Sequence, residues 1–282
     1  MGFPGAVAER EHADYAVVGA PLDVSTTFQP GARFGPEQIR RFAASYDDYD
    51  RRTDQQFSEL GVHDAGDVRA WDDAPEYLEF LGGSLADLVR DDVTPLLLGG
   101  EHTVTAAGVR ATDPDVLVVL DAHLDLREAY DGNPWSHAAV TRRALDGDPE
   151  DEPLATIDGI ADRAVILGAR TGSEAEWERA ERDDVTVVPP EDVSEWTPDL
   201  AEESVYLSVD IDAADPSVAP GTGTMEPFGL SAREIRDVVR QVAPNAVGFD
   251  AVEVNDRDDG QAAALAGKLL KEFVFAHADP DH

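Results

Sequence analysis

The chain has 282 residues, with 59 acidic against 22 basic side chains and a formal charge of −37, a balance that argues against nucleic acid or an anionic membrane surface as partner, because both would be repelled. A cationic substrate would be attracted. It has no cysteine, which excludes disulfides, thiolate metal sites and cysteine nucleophiles, so any bound metal must sit on histidine and carboxylate.

Lys268 and Lys271 are the only lysines, and the composition reads as that of a protein from a high-salt cytoplasm, where concentrated ions screen self-repulsion. An acidic mesophilic protein is the alternative. No Gly/Ser-rich or Pro-rich linker, no repeat and no apolar run of roughly 18 residues interrupts the chain. The opening MGFPGAVAEREHADY lacks a basic region followed by an apolar core. The expectation is one domain over residues 1–282, cytoplasmic, without a membrane span.

In chain order, a first strand is expected over Tyr15 to Gly19, then a Pro/Gly/Thr-rich loop. A helix starts at Gly35-Pro36, with Ile39 and Phe42 inward. A short strand precedes Asp67, and a helix from about Pro75 to Val89 carries Leu78, Leu81, Leu85 and Leu88 at helical spacing. The strand Thr94 to Leu98 ends in GGEHT, with His102 just past its carboxyl end. Read alone, His102 suits a helix cap or a core position as well as a ligand role. The apolar run Val116 to Leu120 reads as a strand buried on both faces. A helix starts near Ser136, with His137 at its amino end. Further strands are expected over Ala164 to Gly168, Val185 to Val188, Val205 to Val209 and Ala246 to Val252, the last ending in Glu253. Ser231 and Glu234 form a capping box, with Leu230 and Ile235 as its hydrophobic staple, and a closing helix begins near Gln261. Strands alternating with helices throughout predict an α/β fold, three-layer α/β/α, with a parallel and roughly eight-stranded sheet.

The stretch DVLVVLDAHLDLR turns abruptly polar after its strand. Asp121, His123 and Asp125 follow at spacing two, so in an extended chain their side chains leave one face at the carboxyl end, the edge where open α/β sheets bind ligands. Two carboxylates and an imidazole there suit manganese or zinc. The competing reading is a solvated acidic loop, since Asp113/Asp115, Asp146/Asp148 and Asp256/Asp258 repeat the same spacing. A second strand ends in Asp210 and Asp212. The loop after it carries Gly221 and Gly223 without the lysine of a phosphate-binding loop, and these glycines are expected to let the backbone pass close to a bound ligand.

Taken together, GGEH at 99–102, DAHLD at 121–125 and SVDIDAADPSVAPGTG at 208–223 resemble the ureohydrolases, the family of arginase and agmatinase. PLDVSTTFQPGARFGP at 21–36 and VEVN at 252–255 extend the likeness over nearly the whole chain. The resemblance implies an arginase/deacetylase-like fold and two manganese ions, one held by His102, Asp121, Asp125 and Asp210, the other by Asp121, His123, Asp210 and Asp212. It implies hydrolysis of a small cationic guanidino substrate, most simply agmatine to urea and putrescine, and a homo-oligomer, trimer or hexamer. In that scheme a metal-activated hydroxide attacks the guanidinium carbon, Asp125 carries the proton to the departing amine, Glu253 holds the guanidinium and His137 shuttles protons. Other substrates in the family, namely arginine, guanidinobutyrate or a formimino compound, are the main alternatives. A zinc deacetylase of the same fold and an inactive regulatory paralogue stand further off.

The chain departs from the family pattern at Met225, Phe228, Asp256 and Ala138, where Pro, Gly, Pro and Gly are common, and none of these removes a ligand. Arg127 stands where arginase-like members carry an Asn that contacts the amino acid's carboxylate. Pointing into the pocket, Arg127 would favour an acidic tail; paired with Glu128 or Asp131, it would only shape the loop and leave those acids to receive agmatine's ammonium.

Overall fold

The computed structural model describes residues 2–149, 154, 160–200 and 203–279. Its strands are β1 (Tyr15–Ala20), β2 (Tyr49–Asp50), β3 (Gln55–Gln56), β4 (Val62–Asp67), β5 (Thr94–Gly99), β6 (Val116–Leu120), β7 (Arg163–Leu167), β8 (Val185–Val188), β9 (Val205–Asp210) and β10 (Ala246–Val252). β2 and β3 make a small antiparallel pair; the other eight form one sheet in the order β4-β1-β5-β10-β9-β6-β7-β8. Every pairing in that sheet is parallel. The eight expected strands are all present, seven of them within a residue of their predicted bounds, and the one placed only loosely before Asp67 runs over Val62–Asp67.

The helices are α1 (Gly35–Ala43), α2 (Ala74–Arg90), α3 (Thr105–Thr112), α4 (Val140–Asp146), α5 (Glu174–Ala180), α6 (Ala232–Val242) and α7 (Gln261–Ala278). Strand residues alternate between two cores, as the two-residue period of a sheet requires. Val17, Leu96, Leu98, Val118 and Leu207 pack with Ile39 of α1, Ile235 of α6 and Leu269 of α7. On the opposite face Val18 and Leu97 meet Leu81 and Leu85 of α2, while Leu117 and Ile166 meet Val109 of α3 and Ala144 of α4. Each Val or Leu so buried contributes about 1.5–3 kcal/mol. This is the three-layer α/β/α arrangement expected from the alternation.

Three local details differ from the expectation. Phe42 packs against the core as expected but is only half-buried, whereas Ile39 and Ala43 carry the buried stripe of α1. Ser136 caps a single 3-10 turn, His137–Ala139, and the α-helix begins only at Val140. α5 was not expected, because EAEWERA has one large apolar residue and hence no helical period; its start is marked instead by the Ser173/Glu176 capping box. The expected box at Ser231 and Glu234 is present. Among the described residues no helix is long and apolar enough to cross a membrane.

Candidate metal centre

β5, β10, β9 and β6 are consecutive neighbours in the sheet, and His102, Glu253, Asp210 and Asp121 stand at or just past their carboxyl ends. His102 opens a 3-10 turn after Gly100, where a Cβ would lie 1.9 Å from the Leu22 carbonyl oxygen, so only glycine lets the chain pass. The expected convergence of Asp121, His123 and Asp125 is found, but not through an extended chain. β6 stops at Leu120, and Asp125 reaches the centre through a left-handed backbone, φ 50°. Glu253 does the same with φ 59°. Such conformations cost a non-glycine residue about 1–2 kcal/mol and persist where the surroundings enforce them.

His102 Nδ1 lies 3.2 Å from Asp121 Oδ2, 3.0 Å from Asp125 Oδ2 and 3.3 Å from Asp210 Oδ2. His123 Nδ1 lies 3.4 Å from Asp121 Oδ1 and 3.1 Å from Asp212 Oδ2. Asp121 therefore offers one oxygen to each histidine. His102, Asp121 and Asp125 form one group able to hold a metal ion, and Asp121, His123 and Asp212 a second. Asp210 approaches on the His102 side, its Oδ1 accepting the Asp212 backbone N–H at 2.9 Å.

His102 Nδ1 and Asp121 Oδ2 are buried without a hydrogen-bond partner, an arrangement that is costly unless a cation is shared between them. Burial disfavours the charged form of both histidines, yet the facing carboxylates raise both well above their usual range. Asp125 is pushed up to about 6 by burial and by the charge of Asp121. Two imidazoles and four carboxylates, mostly buried, fit divalent cations by charge and donor type.

The sequence profile of the arginase family matches residues 13–276. The chain belongs to the arginase family. It is 35% identical to N(1)-aminopropylagmatine ureohydrolase of Thermococcus kodakarensis over 99% of this chain and 95% of that protein. It is 33% identical to agmatinase of Bacillus cereus over 94% of this chain and 92% of the relative. Its structure resembles the crystal structure of agmatine ureohydrolase of Thermoplasma volcanium with a TM-score of 0.88 and 32% identity, covering 98% of this chain and 94% of that one.

Within this arginase-family centre, a buried relay not anticipated from the sequence orients His102. Ser208 Oγ donates to Asp250 Oδ1 at 2.6 Å and lies 3.1 Å from His102 Nε2, so it accepts from Nε2–H and leaves Nδ1 turned to the carboxylates. Thr105 Oγ1 donates to the other Asp250 oxygen at 2.8 Å. An aspartate inside the apolar run AVGFDAV was the available signal, since buried carboxylates are rarely without a task. Glu101 is a second unanticipated support. It accepts Ser25 N–H and Oγ–H, both at 2.7 Å, and Ser25 Oγ in turn accepts His137 N–H at 2.9 Å.

Glu253 Oε1 accepts His102 N–H at 2.9 Å and lies 2.8 Å from His137 Nδ1. Burial opposes protonation of His137 but Glu253 outweighs it, lifting the imidazole to about 9. On the far side of the ring, Nε2 accepts the Thr27 N–H at 3.2 Å, a bond that opposes protonation, and lies 3.0 Å from Thr27 Oγ1. A histidine raised above its unfolded value near 6.5 stabilises the fold fully below that pH and loses the contribution as pH passes about 9. The stability advantage of the metal-free protein over His137→Gln is therefore expected to shrink by about 3 kcal/mol across that window. Thermal unfolding of both proteins from pH 6 to pH 10 measures it, and a flat difference would mean an uncharged pair.

A cavity of about 290 Å³ opens onto the centre, lined among others by His123, Asp125, Asp210, Arg127, Tyr130 and Glu176. Arg127 points into it, but its partner is neither Glu128 nor Asp131. It pairs with Glu176 at 3.1 Å. Neither Glu128, Asp131 nor Phe228 lines the cavity. Gly221 and Gly223 make their close approaches to the protein itself. A Cβ on Gly221 would meet the Asp258 carboxylate at 2.5 Å and the Asn255 carbonyl at 2.8 Å, and one on Gly223 the Gln29 carbonyl at 2.9 Å. Both glycines thus permit close packing of the loop against neighbouring segments. Phe228 has φ 68° and is 87% exposed, its N–H held by Asp215 Oδ2 at 2.9 Å. Phe228→Gly is expected to stabilise the protein by about 1 kcal/mol, because the left-handed penalty disappears and little packing is lost. Denaturant unfolding of the two proteins is the comparison.

Proposed function

We propose that the chain is a cytoplasmic, oligomeric hydrolase that cleaves agmatine to urea and putrescine with two manganese ions. His102, Asp121, Asp125 and Asp210 hold one ion; Asp121, His123, Asp210 and Asp212 hold the other. The observation that carries the reading is Asp121, whose two oxygens face different histidines 3.2 and 3.4 Å away. Nitrogen and hard oxygen donors without sulfur favour manganese or zinc. When bound, the cations supply an activated water near neutral pH and neutralise developing charge.

The protein's own groups supply the rest. Glu253 has Oε1 occupied by His102 N–H and His137, which leaves Oε2 to hold the substrate guanidinium by a charge-assisted hydrogen bond. Asp125, placed between His102 and the cavity, is positioned to carry a proton to the departing amine. His137, between Glu253 and Thr27 at the cavity wall, links the centre to solvent. Thr224 Oγ1 donates to Asp212 Oδ2 at 3.0 Å and keeps that carboxylate turned inward.

The choice of agmatine is supported by relatives named for agmatine and aminopropylagmatine cleavage and by a strongly negative field that draws cations. Urea release from agmatine, arginine and 4-guanidinobutyrate, measured side by side in molar salt with manganese, is the test. The expected order puts agmatine first in kcat/KM; a higher value on 4-guanidinobutyrate would overturn the substrate.

A further inference from the structure

Two oppositely charged side chains face each other across the cavity, and they are fixed very differently. Glu176 is only 3% exposed. Its Oε2 accepts Ser173 N–H at 2.8 Å and Ser173 Oγ–H at 2.7 Å, while Ser173 Oγ accepts Glu176 N–H at 3.4 Å, which completes a capping box. Its position therefore does not depend on Arg127. Arg127 is 35% exposed and meets that same Oε2 at 3.1 Å. The remaining hold on its guanidinium among the described residues is the face of Tyr130, 5.3 Å from the ring centroid. The carboxylate is anchored, whereas its counter-ion has a second seat close by.

Both residues line the cavity that reaches His123 and Asp125. A guanidino substrate placed at the metal ligands extends its tail along this cavity. If the tail ends in an ammonium group, Arg127 is a like charge in its way and Glu176 is a buried opposite charge within reach. Exchanging one cation for another at Glu176 keeps the carboxylate neutralised, so it is never left buried and unpaired, the state that costs most. The displaced guanidinium keeps a favourable contact on the tyrosine face.

We propose that Glu176 is the seat for the ammonium of the substrate's tail and that Arg127 is a displaceable counter-ion, holding the seat until the tail arrives. This rests on the hydrolytic reading above and names the specificity determinant of that same site. Tails that end in an ammonium group are selected, and neutral tails gain nothing from displacing Arg127. An anionic tail is repelled by Glu176 unless Arg127 turns to it.

The test uses the full chain with manganese and three substrates of equal chain length: agmatine, 1-butylguanidine and 4-guanidinobutyrate. Glutamine preserves the capping box, so Glu176→Gln is expected to lower kcat/KM on agmatine by about 10- to 100-fold, mainly through KM. Its effect on 1-butylguanidine is expected to be far smaller. Arg127→Ala is expected to lower the KM for agmatine, since a competitor for the seat is gone. Equal losses of Glu176→Gln on agmatine and 1-butylguanidine would reduce Glu176 to a structural role and overturn the inference. So would a wild-type preference for 4-guanidinobutyrate that vanishes in Arg127→Ala. Absence of urea from all three would instead defeat the hydrolytic reading itself, and the inference with it.

Discussion

Asp121→Asn is expected to weaken manganese binding at both positions together, whereas Asp212→Ala is expected to lose one ion and retain the other. The asymmetry follows from which atoms face which histidine. Asp121 sends Oδ2 toward His102 and Oδ1 toward His123, while Asp212 approaches His123 alone, at 3.1 Å. Removing one partner of a buried charge contact costs about 3–5 kcal/mol, equivalent to about 10²- to 10³-fold in affinity. Asparagine keeps the shape of the side chain, so the loss reports charge and not a cavity. Metal analysis of protein equilibrated at a fixed free manganese concentration gives the count per chain. Wild type binding a single ion at saturation would defeat the two-ion reading. Equal losses in the two variants would defeat the assignment of Asp121 as the shared ligand.

Lowering salt from molar to about 0.1 M is expected to unfold the protein, because the Debye length then grows to about 10 Å and acidic groups on neighbouring elements repel. The net charge is 22 − 59 = −37, and the structure offers little to offset it. Arg40 is spent on Asp64 and Asp67, and Arg179 on Asp146 and Asp184. Of the two lysines, Lys268 pairs with Glu272 at 3.3 Å, and Lys271 is buried with its Nζ 4.8 Å from the Phe57 ring centre. Since 0.05–0.15 kcal/mol per residue is the usual net stability, repulsion summed over such an excess can exceed it. Circular dichroism across a salt series is the measurement. An unchanged spectrum at low salt would remove the high-salt interpretation of the composition.

Much of the fold was legible because burial leaves a periodic mark on a chain. The runs at Val116–Leu120 and at residues 205–207 are apolar without alternation since both faces of the sheet are covered. Helices with a strong stripe, such as the one bearing Leu78, Leu81 and Leu85, are equally plain. α5 was not, because its short surface sequence carries a cap and no stripe. The metal-ligating candidates could be named one by one because acidic and imidazole groups at strand ends coincide with the motifs GGEH, DAHLD and SVDIDAADPSVAPGTG that carry the family resemblance.

What the sequence by itself determined, then, is the set of elements, their alternation and the identity of the residues gathered at the strand ends. The tertiary structure decided how those residues meet. Only the order β5-β10-β9-β6 makes the four chain-distant strand ends neighbours, and only the left-handed turns at Asp125 and Glu253 swing their carboxylates inward. Arg127 shows the limit most clearly: its nearest acids in sequence are Glu128 and Asp131, yet its partner is Glu176, on a helix from another part of the chain. The physical reason is that solvent exposure acts on each residue in turn and leaves a local pattern. Charge pairing acts through space, between groups whose proximity exists only once the sheet has assembled.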